Sequence, residues 1–201
     1  MNRHALHGIV HDAIERPPTE IVERFKAFSV ATIARACRGN GLMHHEIKPL
    51  NPGIRICGPA VTLFGRQGDA NMYQGVPDSL RPGDIVIGDA AGAKSLAVCG
   101  ERVAYNICRL FKAGGMVIDG AIRDKAGMEE EGVPIFYRGV DPKLFGASGP
   151  GAINVPVQCG GVIVYPGDLI IGDRDGVIVI KRGEILKVLE KVDCGSERSG
   201  D

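Results

Sequence analysis

The sequence predicts a single α/β domain, in which short strands form a central β-sheet core flanked by helices. From residue 55 onward, short apolar runs are punctuated by Gly and Pro, a pattern typical of strands in a loop-rich sheet. Before and between these runs lie segments whose apolar residues recur at helical spacing. The chain has 201 residues, which favours one domain over two.

Composition narrows the classes of function. Lys and Arg together number 24, as do Asp and Glu, so the formal net charge is zero. Binding to nucleic acid or to an anionic membrane through bulk charge needs a basic excess, so we expect neither partner. The N-terminal stretch has no apolar signal segment, and no apolar run approaches the ~20 residues of a membrane span. Six scattered cysteines without a C-x-x-C pair favour reduced thiols and a cytoplasmic location.

The N-terminal third combines an arm with two short helices. Residues 1–18 are predicted to be an arm that ends at a Pro-Pro pair, and residues 19–201 to be one domain. Thr19 suits the N-cap of a first helix and Ser29 that of a second, since apolar residues follow each at helical spacing. The Gly39–Gly41 segment is expected to end the second helix.

One pattern occurs twice farther along the chain. Residues 82–89 (PGDIVIGD) and 166–173 (PGDLIIGD) each combine a Pro-Gly turn, a short apolar strand and a Gly-Asp turn. The match predicts two related strand units that share a core. Two copies do not make a repeat array, which needs about three or more.

The stretch from residue 84 to 119 follows the order strand, helix, strand. The helix is expected to run from Gly100–Glu101 to Lys112, and a right-handed crossover would make the two strands parallel. Ligands of such units bind beyond the carboxyl ends of the strands and at helix N-termini. We therefore expect Asp89, the amides of residues 100–103 and the loop 120–124 to form one candidate site.

Arg123 and Asp124 are the side chains in this loop with the most useful chemistry. An arginine can hold a carboxylate through a bidentate fork, and an aspartate can bind a hard divalent cation through one oxygen. Together they would suit a small 2-oxo acid that chelates a metal. The alternative is a surface ion pair, with Glu101 only capping its helix. A Schiff-base role for Lys94 would need burial in an apolar pocket, and no P-loop, G-x-G-x-x-G or G-x-S-x-G motif is present.

Several of these segments, in this order, resemble a known family. The segments are GDIVIGDAAG, AVCGE, AGGMVIDGAIRD and CGGVIVYPGDLIIGDRDGVIVI, with SVATIARACRGNG and IRICGPAVTLFG upstream. The family is that of the class II pyruvate aldolases, which act on 4-hydroxy-4-methyl-2-oxoglutarate and 4-carboxy-4-hydroxy-2-oxoadipate. It includes the regulator of ribonuclease activity A and is therefore called RraA-like. The resemblance covers roughly residues 20–182.

The resemblance implies a swivelling β/β/α-type domain that assembles as a homotrimer or hexamer, with active sites between subunits. Its signature of Gly-[Asp/Glu], about twenty residues and Arg-Asp matches Gly100-Glu101 and Arg123-Asp124. By that match Asp124 would ligate Mg²⁺ or Mn²⁺. Arg123 and the backbone of Gly100, Glu101, Arg102 and Val103 would bind the 2-oxo acid. Glu101 would assist proton transfer through a metal-bound water.

The implied reaction is cleavage of a 4-hydroxy-2-oxo acid to pyruvate and a second oxo acid, with oxaloacetate decarboxylation as a side activity. Two alternatives remain at this point: a non-catalytic regulator that binds an RNA-processing ribonuclease, and an inert structural oligomer. The chain also departs from the family pattern. Residues 102–122 give 21 residues between the two motif halves, Glu101 replaces the Asp of many members, and Arg35 stands where many have Asp. For the acid contributed by a neighbouring subunit, Glu197 is a candidate.

Overall fold

The computed structural model describes residues 8–143, 146 and 149–197. Its strands are β1 (Gly8–Val10), β2 (Lys48–Pro49), β3 (Ile56–Gly65), β4 (Ile85–Ala93), β5 (Gly115–Ile122), β6 (Ile135–Val140), β7 (Gly151–Ile153), β8 (Val157–Cys159), β9 (Val162–Val164), β10 (Leu169–Asp173) and β11 (Gly176–Ile180). Its helices are α1 (Thr19–Phe25), α2 (Val30–Ala36), α3 (Asn71–Gly75), α4 (Glu101–Tyr105), α5 (Lys125–Glu130) and α6 (Ile185–Glu197).

The central sheet has the strand order β1-β7-β3-β4-β5-β6-β2, and β8 and β9 form a separate hairpin. Strands β3, β4, β5 and β6 are parallel to one another, as the crossover rule predicts for β4 and β5. Their carboxyl ends therefore open at one edge of the sheet, where ligand sites of α/β folds form. The predicted α/β class, a central sheet flanked by helices, is confirmed.

Strand β3 belongs to two pairings at once. Its first residues pair antiparallel with β10, and from Ala60 onward it pairs parallel with β4. The two PGD segments thus enter strands on either side of β3. In each copy the Asp accepts a hydrogen bond from the amide three residues earlier, Arg81 to Asp84 and Tyr165 to Asp168. The repeat therefore has a structural role: each copy begins a strand, β4 or β10, that pairs with β3.

The N-terminal helices match their predicted positions closely. Ser29 caps α2 as predicted, since its hydroxyl accepts from the Thr32 amide at 3.1 Å. The predicted cap at Thr19 is wrong: Thr19 is the first residue of α1, and the N-cap position is held by Pro18, which makes no side-chain capping hydrogen bond. Helix α2 ends at Ala36, and the Gly39 amide closes it by donating to the Ala34 carbonyl.

The helix after Gly100 is more irregular than predicted. It is α-helical only from Glu101 to Tyr105 and continues as a π turn over Asn106–Leu110. The Phe111 amide donates to the Asn106 carbonyl, a hydrogen bond five residues apart. Lys112 is in the left-handed region instead of the last helical turn. A π turn contains one more residue than an α-helical turn, so it can accommodate the one-residue excess between the motif halves.

Apolar side chains pack on both faces of the sheet, because successive strand residues point in opposite directions. Val86 and Ile118 belong to the cluster that contains α4 and α5, while Ile87 and Val117 belong to the cluster on the opposite face. A third cluster joins α1, α2 and α6 to β10 and β11. The helices α3, α4 and α5 therefore share the site's side of the sheet.

The described part of the arm is tied to the domain by strand pairing and by ion pairs. Strand β1 pairs parallel with β7, and the guanidinium of Arg16 donates to both carboxylate oxygens of buried Asp84 at 2.8 and 2.6 Å. Residues 1–7 lie outside the described part, and the division into an arm and a domain at residue 18 stays a prediction. Within the described ranges, no helix has both the length and the hydropathy needed to cross a membrane.

Candidate functional site

The candidate site lies where the loop after β4 meets the end of β5. The Val98 amide donates to the Ala121 carbonyl at 3.1 Å, and the Arg123 amide donates to the Cys99 carbonyl at 2.9 Å. These two bonds extend the parallel pairing beyond β4 and hold the start of α4 against the end of β5. Gly100 and Arg123 are neighbours for this reason, although 22 residues separate them in the sequence, at 101–122.

Gly100 is the N-cap of α4, and a side chain at this position would crowd the site. A Cβ at this position would lie 3.0 Å from Asp124 Oδ2 and 3.2 Å from Arg123 Nε. Both contacts are tighter than most real Cβ contacts, so an added Cβ would shift the two charged groups by a few tenths of an ångström. The Val103 amide donates to the Gly100 carbonyl at 3.1 Å, so the amides of Glu101 and Arg102 are the ones that face a ligand beside Arg123 and Asp124.

Arg123 and Asp124 form an ion pair that leaves both side chains partly accessible. Arg123 Nε lies 3.2 Å from Asp124 Oδ2, and the side chains are 38% and 50% exposed. Asp124 is the N-cap of α5 but makes no side-chain capping hydrogen bond, and its backbone is left-handed with φ 58°. An N-cap aspartate normally accepts from its own helix; because this carboxylate does not, it can bind a ligand in addition to Arg123.

Glu101 faces a different direction from its neighbours. Its carboxylate lies over Gly127 of α5, where an added Cβ would be 2.2 Å from Oε2. Glu101 lines a shallow surface depression together with Arg102 and Asp124. It does not line the larger cavity in front of Gly100 and Arg123. Glu101 therefore stands beside Asp124, on the α5 side of the site.

A cavity of about 630 Å³ opens in front of Gly100, Arg123 and Asp124. Its walls come from α3 and the 3-10 turn that follows it (residues 70–78) and from α4 with its π turn (100–111). Sites for small ligands typically measure ~300–1,000 Å³, so the space suffices for a small acid with room beyond it. Of the residues predicted from the sequence, Gly100, Arg102, Val103, Arg123 and Asp124 meet here.

Several cavity residues were not predicted, among them Tyr73, Gln74 and Asp78. Tyr73 is buried, and its hydroxyl has no hydrogen-bond partner in the part of the chain that the structure describes. Burial raises the pKa of Tyr73 well above its ordinary value. The ring fits because Gly88 of β4 has no side chain: a Cβ there would lie 2.1 Å from the hydroxyl oxygen. Asn106, four residues after Arg102, was foreseeable from helical spacing.

Asp89 does not join this site, contrary to the sequence-based prediction. Its carboxylate accepts hydrogen bonds from the amides of Ala91 at 2.8 Å and Gln158 at 3.2 Å. Its counterpart in the second PGD copy, Asp173, likewise accepts from the amide two residues ahead. Both aspartates stabilise turns, and Asp89 additionally fastens the β8–β9 hairpin to β4.

Lys94 is engaged elsewhere. Its ammonium donates to Glu46, which also accepts from Arg138 at 2.9 Å. The hydrogen bonds from Lys94 and Arg138 lower the pKa of Glu46 to about 2. Lys94 is exposed and paired with a carboxylate, not buried in the apolar pocket that a Schiff-base lysine needs, which agrees with the sequence-based argument.

The donor set fits a hard divalent cation held mainly by water and substrate. No group of three or more His, Cys, Asp or Glu residues is arranged to hold a metal within residues 8–143, 146 and 149–197. Mg²⁺ commonly binds through one or two carboxylates and keeps several waters. Asp124 offers one uncapped carboxylate beside the space that Gly100 keeps open. The side chain of Glu197 lies outside the described residues.

Comparisons with known proteins identify the family of the chain. The family model RraA-like, described as Aldolase/RraA, matches residues 6–179. A protein of Halalkalibacterium halodurans, named "Putative 4-hydroxy-4-methyl-2-oxoglutarate aldolase", is 37% identical over 172 residues, which are 86% of this chain and 81% of that protein.

Solved structures show the same fold. RraAS2 of Streptomyces coelicolor, described as an unusual member of the RNase ES inhibitor RraA protein family, has a TM-score of 0.79 at 26% identity, covering 93% of this chain and 97% of its own. RraA from Thermus thermophilus, described as an RNA-processing inhibitor, has a TM-score of 0.69 at 22% identity, covering 76% and 92%. The predicted swivelling β/β/α arrangement is confirmed, and the chain belongs to the RraA-like family of aldolases and RraA proteins.

Proposed function

We propose that the protein is a class II aldolase. It would cleave a 4-hydroxy-2-oxo acid, such as 4-hydroxy-4-methyl-2-oxoglutarate or 4-carboxy-4-hydroxy-2-oxoadipate, to pyruvate and a second oxo acid. One observation carries the proposal: the α4 amides, Arg123 and the carboxylate of Asp124, which makes no helix-capping hydrogen bond, meet at the mouth of one cavity. The 37% identical relative carries an aldolase name, which supports the same chemistry.

Binding and metal retention fall to different residues in this proposal. The guanidinium of Arg123 and the backbone of Gly100, Glu101, Arg102 and Val103 bind the 2-oxo acid, since N–H donors and a positive charge suit a carboxylate. Asp124 holds Mg²⁺ or Mn²⁺. The bound cation supplies Lewis-acid stabilisation for negative charge that develops on the 2-oxo oxygen.

Proton transfer is assigned to Glu101. It assists removal of the proton from the C4 hydroxyl; the C3–C4 bond then breaks, and its electron pair passes into the enolate of pyruvate. Arg123 stabilises the charge of this enolate, and protonation at C3 gives pyruvate. Oxaloacetate would lose carbon dioxide through the same enolate, so we expect oxaloacetate decarboxylation as a side activity.

Pyruvate release is expected to depend on a divalent cation. The purified protein is incubated with 4-hydroxy-4-methyl-2-oxoglutarate, and pyruvate is measured through lactate dehydrogenase. EDTA should abolish the signal, and Mg²⁺ or Mn²⁺ should restore it, with added pyruvate confirming that the coupling enzyme tolerates both treatments. Undiminished turnover after thorough chelation contradicts the metal role, and no turnover on any 4-hydroxy-2-oxo acid contradicts the aldolase.

Gly127→Ala tests the position of Glu101 without touching its chemistry. The new methyl group would occupy the place of Oε2, which lies 2.2 Å from it, so the flexible carboxylate must swing away. We expect turnover to approach the ~10²–10⁴-fold loss typical of removing a general acid–base group, with little change in KM. Alanine favours a helix over glycine by up to ~1 kcal/mol, so the melting temperature should not fall.

Glu101→Gln is the comparison variant, since it removes the proton-transfer group and keeps its position. Its loss of turnover should equal or exceed that of Gly127→Ala. If Gly127→Ala retains full activity, the carboxylate of Glu101 has no required position, and its assignment is wrong.

A homo-oligomer, a trimer or a dimer of trimers, is part of the proposal. Leu110 and Phe111 at the end of the α4 segment are 60% and 43% exposed, and Phe111 also lines the cavity. Exposed apolar groups beside a site favour coverage by another subunit. Light scattering at micromolar protein should give at least three times the 21.3 kDa chain mass, and a mass of 21.3 kDa contradicts assembly.

A cytoplasmic location remains a proposal that the six free thiols support.

A second candidate function is regulation of an RNA-processing ribonuclease. It is favoured by the likeness to RraAS2, which its description places among inhibitors of RNase ES. Enzyme and regulator are separable, because a binding protein has no use for an uncapped carboxylate beside an arginine in a cavity. Titrating such a ribonuclease with this protein and following RNA cleavage tests the regulator directly, and inhibition that survives Asp124→Asn would favour it.

A further inference from the structure

Arg102 is an arginine of the cavity wall without an assigned side-chain partner. It forms no hydrogen bond or ion pair through its guanidinium with any residue of the described ranges, whereas Arg123 is paired with Asp124. Arg109, on the same helical segment, donates to the carbonyls of Glu131 and Gly132 and does not line the cavity. Arg102 is thus available for a ligand at the rim of the site.

The helix places Arg102 on the face that looks into the cavity. Arg102, Val103, Asn106 and Ile107 all line it, and residues four apart, Arg102 with Asn106 and Val103 with Ile107, are neighbours on a helix surface. Arg102 and Asn106 form a polar row, one turn apart, that starts two residues from Gly100. A ligand whose first carboxylate binds at Gly100 and Arg123 would extend along this row.

The charges of the cavity favour a ligand with two negative groups. Its charged residues are Arg102, Arg123, Asp78 and Asp124, which sum to zero. Arg123 and Asp124 offset each other at 3.2 Å, and Asp78 on the opposite wall makes no ion pair with Arg102. A divalent cation on Asp124 would leave the cavity with two net positive charges. A dianion would balance the lining residues and the cation; Glu101, which stands beside Asp124 outside the cavity walls, is not part of this sum.

We propose that the guanidinium of Arg102 binds the second carboxylate of a dicarboxylic 4-hydroxy-2-oxo acid, and that it selects such substrates over analogues uncharged at that end. The proposal rests on the function proposed above and assigns a specificity-determining role to this side chain. A planar fork of N–H donors on a long side chain is suited to a terminal carboxylate.

The experiment uses two pairs of compounds. Within each pair, one compound has a terminal carboxylate where the other has a methyl group. The substrate pair is 4-hydroxy-2-oxoglutarate and 4-hydroxy-2-oxopentanoate, compared by kcat/KM for pyruvate release. The binding pair is 2-oxoglutarate and 2-oxopentanoate, which lack the C4 hydroxyl and are not cleaved; their affinities are measured calorimetrically with Mg²⁺ present. The variants are Arg102→Met and Arg102→Lys, with Arg35→Met as the control, since Arg35 is an exposed arginine of α2 away from the cavity.

Arg102→Met should lower kcat/KM for the dicarboxylate by ~10- to 100-fold, the range of one hydrogen bond to a charged group, and change the monocarboxylate by less than about threefold. Its affinity for 2-oxoglutarate should fall in parallel. Arg102→Lys should lie between, because it keeps the charge but loses the fork, and Arg35→Met should match the unmodified protein. Equal losses on both members of a pair, or no loss on the dicarboxylate, overturn the proposal.

The binding pair separates this inference from the aldolase proposal. If the unmodified protein releases no pyruvate but prefers 2-oxoglutarate to 2-oxopentanoate, and Arg102→Met abolishes that preference, the aldolase proposal fails while the role of Arg102 as the second-carboxylate receptor stands. If pyruvate is released but neither pair discriminates, the aldolase stands and the role of Arg102 fails.

Discussion

Asp124→Asn is expected to abolish metal-dependent pyruvate release while the protein stays folded. Asparagine keeps the size of the side chain and tolerates the left-handed backbone that Asp124 adopts at φ 58°. It replaces an anionic oxygen with a neutral amide, which is a much weaker ligand for a hard cation. Since Asp124 is the single direct ligand in the proposal, Mg²⁺ affinity and turnover should each fall by more than about 100-fold, the upper range for loss of an outer-shell partner.

Asparagine is a better test than alanine at this position. Alanine would remove the ligand but also place a Cβ without local hydrogen bonding in the left-handed region, at a cost of ~1–2 kcal/mol. The matched control is Asp175→Asn, an exposed aspartate in the turn between β10 and β11. Calorimetric titration of Mg²⁺ and the coupled pyruvate assay are made on all three proteins. If Asp124→Asn kept its metal affinity and turnover, the assignment of Asp124 as the metal ligand would be wrong, and the chain would share only its fold with the aldolases.

The framework of the site was predictable from the sequence because its determinants are local. Strand, helix and strand follow one another between residues 84 and 119, and the crossover rule alone makes β4 and β5 parallel. That topology brings Gly100 beside Arg123 and Asp124. The position of the α2 cap at Ser29 followed from residue type and spacing for the same reason.

The details that sequence reasoning missed depend on contacts between distant segments. Asp89 was placed in the site by its strand, but its partner Gln158 lies 69 positions away and has no local signature. Helix α3 has only five residues and no side-chain cap, so its pattern is too short to show a period, and Tyr73 and Gln74 escaped notice. Glu101 turns toward α5 because Gly127 leaves a space there. The periodicity of apolar residues does not predict which glycine of a neighbouring helix leaves such a space.

Replacement of Arg123 should separate substrate stabilisation from metal binding. Arg123→Ala is expected to lower kcat by ~10²–10³-fold, the cost of losing one donor to a developing oxyanion. Arg123→Lys should restore little of this loss, because an ammonium cannot reproduce the planar two-point grip on a carboxylate. Both variants are measured in the coupled pyruvate assay, with the melting temperature as the control for folding.

Metal affinity distinguishes this residue from Asp124. Arg123 Nε lies 3.2 Å from the Asp124 carboxylate, so its positive charge repels any cation bound there. Removing that charge in Arg123→Ala should leave Mg²⁺ affinity unchanged or increase it, whereas Arg123→Lys should keep it near the original value. If Mg²⁺ affinity instead falls in Arg123→Ala as it does in Asp124→Asn, Arg123 acts by holding Asp124 in position, and its direct contact with the 2-oxo acid is wrong.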